Sequence, residues 1–148
     1  MKQVTLLVGS TLGAAEDLAA DLAEILEQNS YHTVIHTSPQ VDHILISPEH
    51  ILLLICSTHG AGDLPENIQP FYQQLLDQAP NLTGLNYLAV GLGDSAYDTF
   101  CQAIQTLDHQ LSQLGAIRLE DQLKIDVSLA DPPEMIAKKW LDLWLTKQ

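Results

Sequence analysis

Between residues 3 and 117 there is not one lysine or arginine. The six basic residues are Lys2, Arg118, Lys124, Lys138, Lys139 and Lys147, whereas thirteen of the nineteen acids fall inside that stretch, so the net charge of −13 is carried by the first four-fifths of the chain. Such a surface repels nucleic acid, and any anionic ligand must be held there without salt bridges. Cysteine is scarce too. Cys56 and Cys101 lack metal-ligand spacing and are too few for a disulfide scaffold, which predicts free buried thiols in a reducing compartment. No run of about 18 apolar residues occurs, so no membrane span is expected. The start leads into a short apolar strand instead of a signal peptide's longer apolar stretch, so a cytoplasmic protein is expected. His32, His36, His43, His50 and His109 form no i, i+4 pair on a helix and have no Cys partner, so no metal site is expected. Neither a Ser-His-Asp set nor a paired-carboxylate set can be assembled, so no residue is assigned a catalytic role.

What is present is a repeat of strand and helix. The 148 residues, 46% of them hydrophobic, suit one domain with its own core, residues 1–148. Residues 4–8 are apolar throughout, and Leu18, Ala19, Leu22, Ala23 and Leu26 then recur at helical spacing. A short strand is expected over residues 32–36, with Ser38-Pro39 capping a helical turn through Ile44. Residues 51–56 suit a strand covered on both faces. Ile68, Phe71, Tyr72, Leu75 and Leu76 mark a helix stopped by Pro80, and residues 87–92 form the next strand. Phe100, Ala103, Ile104, Leu107, Leu111 and Leu114 face inward on a helix closed by Gly115. Residues 116–127 supply a fifth strand, and Asp131 caps a last helix with Pro132 in its first turn and Ile136, Trp140, Leu143 and Trp144 inward. Five alternations of strand and helix predict an α/β fold, a doubly wound parallel sheet with helices on both faces. Ligands of such sheets bind beyond the carboxyl ends of the strands.

Three loops at those ends can carry chemistry. The first, Gly9-Ser10-Thr11-Leu12-Gly13-Ala14-Ala15-Glu16, lets the backbone curl before a helix whose first N–H groups have no intrahelical acceptor. It reads either as a phosphate cradle polarised by the helix dipole, which needs no lysine, or as an ordinary capped turn. The second, residues 57–67, is rich in glycine and offers the ring of His59, which is either a ligand contact or a half-exposed loop side chain. The third, residues 91–101, again follows a strand with glycines and an aromatic ring, Tyr97, which could equally cover the core.

In this order the loops resemble those of the flavodoxin family and of the flavodoxin-like domains of diflavin reductases. Ser57-Thr58-His59-Gly60-Ala61-Gly62-Asp63-Leu64-Pro65 is similar to the family's Ser-Thr-Tyr-Gly-x-Gly-Asp-x-Pro loop, and Gly91-Leu92-Gly93-Asp94-Ser95 with Tyr97, Phe100 and Cys101 to its Gly-Leu-Gly-Asp-Ser-x-Tyr-x-x-Phe-Cys loop. Gly-Ser-Thr-Leu-Gly in the first loop is similar to the short, single-domain MioC group. The resemblance spans nearly the whole chain and implies strand order 2-1-3-4-5 and a tightly but non-covalently held FMN. Its phosphate would lie on Ser10, Thr11, Leu12, Gly13, Ala14 and Ala15. The ring system would lie between His59 and Tyr97, with Ser57, Thr58, Gly60, Ala61, Gly62, Leu92, Gly93, Asp94, Phe100 and Cys101 completing the site. The Gly60 carbonyl would turn toward flavin N5 on one-electron reduction.

Two departures from the family pattern carry consequences. Leu12 and Ala15 stand where threonines are usual, removing two hydroxyls each worth about 1 kcal/mol as a net hydrogen bond. His59 stands where an aromatic is usual, which weakens stacking and brings an ionisable imidazole to the site. Asp63, Glu66, Asp94 and Asp98 occupy the second and third loops. A negative charge about 10 Å from the ring costs an anionic reduced flavin roughly 0.4 to 1.7 kcal/mol at dielectric constants of about 80 to 20, which makes a low-potential donor; the same acids also serve solubility.

The resemblance implies an electron carrier rather than an enzyme. Single electrons would come from an NADPH-dependent flavodoxin reductase and pass to a metalloenzyme or radical enzyme with a basic face, in encounters steered by charge. Neither nucleic acid nor membrane is an expected partner, and the charge favours a monomer. An FMN-dependent NAD(P)H:quinone-type reductase is opposed by the missing basic residues, which would have to neutralise a dinucleotide. A phosphoacceptor receiver domain would need acids where Gly9-Ser10 and Ser57-Thr58 stand. A flavin-free interaction module on the same frame remains as a third reading.

Overall fold

A computed structural model describes residues 2–11, 13–59 and 62–148. The chain forms β1 (Gln3–Gly9), α1 (Ala14–Gln28), β2 (His32–His36), a single 3-10 turn (Val41–His43), β3 (His50–Ser57), α2 (Gln69–Gln78), β4 (Asn86–Gly93), α3 (Gln102–Gln113), β5 (Ile117–Arg118), β6 (Leu123–Asp126) and α4 (Pro133–Leu145). The sheet is parallel throughout, in the order β2-β1-β3-β4-β5, with β6 also paired to β4. This is the order that the flavodoxin resemblance implied.

Side chains alternate across the sheet. Leu6, Val8, Leu53, Ile55, Leu88 and Val90 pack against α1 and α4, and Leu7, Leu52, Leu54, Tyr87 and Ala89 pack against α2 and α3. Burial on both faces explains why β3 and β4 read as unbroken apolar runs. Cys56 and Cys101 are buried free thiols, not joined in a disulfide. Burial holds the Cys101 thiol up at about 11.

Four local expectations are corrected. The fifth strand is two pieces: Tyr87 pairs with Arg118 and Val90 with Leu123, so five residue steps on the edge oppose three on β4, as in a bulge. The last helix starts one residue later than expected. Pro132 is its N-cap and stays extended because Pro133 follows it, and Asp131 caps nothing. Leu143 on that helix is 64% exposed, whereas Trp144 is buried against Tyr31 with ring centroids 6.1 Å apart; Leu76 on α2 is likewise exposed. The turn before β3 is confined to Val41–His43 with Gln40 as its N-cap, so Ser38-Pro39 does not cap it. Pro80 and Gly115 close α2 and α3 as expected, following Ala79 and Leu114.

Candidate functional site

The carboxyl ends of β1, β3 and β4 lie side by side, with Gly9 opposite Cys56 and Cys56 opposite Gly91. The first, second and third loops therefore leave the sheet together. Between them lies a cavity of about 440 Å³, within the usual range of small-molecule sites, about 300 to 1,000 Å³. The first loop contributes Thr11 and Ala14, the second Ser57, Thr58 and His59, and the third Leu92, Gly93, Asp94, Tyr97 and Phe100. A second cavity of about 550 Å³, lined by Ser10, Thr11, His59, Glu66 and Asn67, shares Thr11 and His59 with it.

The first loop is organised around Gly13, whose φ of 88° is left-handed and suits a residue without Cβ. The Ser10 hydroxyl accepts the Gly13 N–H at 2.9 Å. No side chain caps α1, so the N–H groups of Ala14, Ala15 and Glu16 meet no acceptor among the described residues. The Ser10 backbone N–H is different, being donated to Asn67 Oδ1 at 2.9 Å. Ala15 has its methyl in the core beneath the loop, which leaves only its N–H for a ligand.

The second loop folds back on itself, with His59 and Asp63 exchanging backbone hydrogen bonds at 2.8 Å. The exposed His59 ring has Nδ1 3.4 Å from the Thr11 hydroxyl. Thr58 is committed partly to structure, since its hydroxyl accepts the Ala103 N–H at the start of α3. Gly62, with φ of 98°, lies against Gln102 and Thr99, where a Cβ would stand 2.7 Å from the Gln102 amide oxygen and 3.1 Å from Thr99 Cβ. Leu12, Gly60 and Ala61 lie outside the described residues, and with them the expected carbonyl turn at Gly60.

The third loop is pinned from β6. Asp126 Oδ1 accepts the N–H groups of Ser95 and Ser128 and the Ser128 hydroxyl, and these bonds hold its carboxyl down at about 2. The Val127 N–H reaches the Gly93 carbonyl at 2.8 Å, bringing Val127 into the cavity wall. Tyr97 is 65% exposed, so it is a cavity rim and not a cover for the core. Among the expected contacts that the structure describes, Gly13, Ala15, Gly62 and Cys101 are not in the cavity walls, and Cys101, like Ala15, is turned into the core by its side chain. Its side chain is buried beside Gly93, in left-handed backbone with φ of 53°, and it does not line the cavity.

Asn67, Thr99 and Val127 were missed by sequence reasoning. Val127 follows a strand that the sequence did not show to be broken, and Asn67 acts through partners 30 to 59 residues away. Of the four loop acids, Asp94 and Glu66 line the two cavities, and Asp63 is tied to His59. The donor set is thus uncharged: hydroxyls and helix amides that have no partner among the described residues at one side, two exposed rings at the other, with no Lys or Arg among the described wall residues. It fits a phosphate monoester carrying a flat aromatic system, as FMN is.

Comparison with known proteins agrees with this geometry. The flavodoxin family model matches residues 6–140. The chain is 43% identical to Protein MioC of Escherichia coli O157:H7 over 98% of this chain and 97% of that one. It is 32% identical to the sulfite reductase [NADPH] flavoprotein alpha-component of Bacillus subtilis, over 95% of this chain and 23% of that longer protein. A solved flavodoxin from Pseudomonas aeruginosa superposes with a TM-score of 0.87 at 31% identity, covering 97% of each chain.

Proposed function

The chain belongs to the flavodoxin family, electron-transfer proteins whose cofactor is FMN, and from that premise we propose a one-domain cytoplasmic carrier that takes single electrons from an NADPH-dependent flavodoxin reductase. The acceptor in this reading is a metalloenzyme or radical enzyme with a basic face. The observation that carries it is the cavity at the ends of β1, β3 and β4, bounded by an uncapped helix start and two exposed rings and free of basic side chains.

Bound FMN supplies the one-electron chemistry. The amides of Ala14 and Ala15, with the hydroxyls of Ser10 and Thr11, hold the phosphate through the positive end of the α1 dipole. His59 and Tyr97 would hold the ring, and Leu92, Gly93 and Phe100 would shield it from water. Ser57 and Thr58 supply polar groups there. Leu12, Gly60, Ala61 and Gly62 complete the backbone of the two loops in this assignment, whereas Cys101 acts only by supporting Gly93 from within. Asp63, Glu66, Asp94 and Asp98 oppose further negative charge on the flavin and steer the rim toward basic partners. No lysine or arginine lies between residues 3 and 117 to bind a dinucleotide's phosphates, which supports a carrier reduced by a partner and not by NADPH directly.

The test is anaerobic reduction of the FMN-loaded protein. NADPH alone leaves the flavin oxidised over minutes, and catalytic flavodoxin reductase bleaches it quickly, at a rate that falls with salt. Rapid bleaching by NADPH alone would replace the carrier with a quinone-type reductase.

A further inference from the structure

β1 and β2 part company at the mouth of the site. Their pairing ends with Leu7 opposite His36, and the strands diverge at Val8 and Thr37. The Asn67 side chain fills the fork. Its Nδ2 donates to the Val8 carbonyl at 2.7 Å and the Thr37 carbonyl at 2.9 Å, while its Oδ1 accepts the Ser10 N–H at 2.9 Å. Both amide protons and the amide carbonyl are used, two of the three bonds at the end of β1 and one just beyond β2.

We propose that Asn67 is the positioning residue for the phosphate end of the FMN site, an inference that rests on the function proposed above. The chain of contacts is short. Asn67 fixes Ser10; the Ser10 hydroxyl holds the Gly13 N–H; Gly13, in left-handed backbone, sets the direction of the first turn of α1 and of its amides. In a site without a cationic side chain, those amides attract phosphate only if they converge, so the residue that aims them governs affinity for that group. The Asn67 side chain is spent on Val8, Ser10 and Thr37, whereas the flavin ring is assigned to His59 and Tyr97. Asparagine alone suits the fork, because aspartate would place a carboxylate oxygen against two carbonyl oxygens, and alanine would leave the Val8 and Thr37 carbonyls and the Ser10 N–H unpaired.

The experiment compares FMN with riboflavin, which lacks the phosphate, in fluorescence titrations of the wild type, Asn67→Ala and Asn67→Asp. FMN affinity falls about 10- to 100-fold in both variants, the range found when groups that orient a ligand's own donors are lost from metal sites, and riboflavin affinity stays within about threefold. Thermal melts of the apo proteins report folding separately, and the isosteric Asn67→Asp carries the comparison if Asn67→Ala does not fold. Equal loss of both ligands, or loss of neither, overturns the inference while leaving the FMN reading intact. A wild type that binds neither ligand overturns both.

Discussion

Adding a single methyl at Gly93 tests how the third loop shapes the cavity. A Cβ at this position would stand 2.7 Å from the Cys101 backbone nitrogen, 3.0 Å from Cys101 Sγ and 3.1 Å from a Phe100 ring carbon, where contacts of about 3.5 to 4.0 Å are normal. The nearest obstacle is backbone, so no rotamer change relieves it. Cys101 is also the N-cap of α3, whose next residues are anchored in the core, and its buried sulfur has nowhere to go. The displacement therefore falls on the loop that carries Tyr97 and Phe100, both in the cavity wall. Overpacking of this kind costs about 1 to 3 kcal/mol. If the cost is met by moving the loop, Gly93→Ala weakens FMN binding by roughly 5- to 150-fold. If it is met by the fold, the melting temperature of the apo protein drops by about 2 to 4 °C per kcal/mol. FMN titration and a thermal melt of the apo variant measure the two shares. A variant that binds FMN within twofold of wild type and melts at the same temperature would refute the close approach of Gly93 to Cys101.

Three further outcomes are expected. Arg118→Met removes the guanidinium that pairs with buried Asp108, leaving the carboxylate to Tyr87 and Gln122; the loss of about 1.5 to 3 kcal/mol for a hydrogen bond to a charged group is read from the urea midpoint, and an unchanged midpoint counts against the network. Burial holds the imidazoles of His50 and His36 below their ordinary pKa, so the unfolded chain binds protons more readily and this stability is present above about pH 6.5 and lost as pH falls below it. Urea unfolding at pH 7.5 and 5.5 shows the decline, and a His50→Gln variant with as steep a decline would remove His50 from the explanation. The variant Asp94→Asn, at the cavity wall, raises the one-electron potential; a single charge about 10 Å away at a dielectric constant of about 80 to 20 is worth roughly 0.4 to 1.7 kcal/mol, and spectroelectrochemistry showing no rise would leave Asp94 a solubility residue.

The strands and the three loops were legible in the sequence because both depend on local pattern. A strand buried on two faces must be apolar throughout, as β3 and β4 are, and small residues after it mark a backbone that turns tightly. What escaped was decided at long range. The break between β5 and β6 coincides with Gln122 donating to Asp108 on α3, which no window along the chain shows. Leu143 keeps helical spacing but faces outward because α4 packs through Ala137, Leu141 and Trp144. Cys101 has the motif position of a site residue and the burial of a core one. Asn67 looked like loop composition until its partners on β1 and beyond β2 were brought beside it.

The central claim is that this acidic chain holds FMN in the cavity between its three loops through backbone amides, hydroxyls and two exposed rings. The direct test is a fluorescence titration of FMN with the apo protein, repeated from low to high salt. The account predicts saturable quenching at one FMN per chain. Affinity should hold or rise with salt, because screening of the acidic rim removes repulsion where no salt bridge exists to be lost. Absence of binding at high micromolar FMN, or binding that collapses as salt is added, would contradict it.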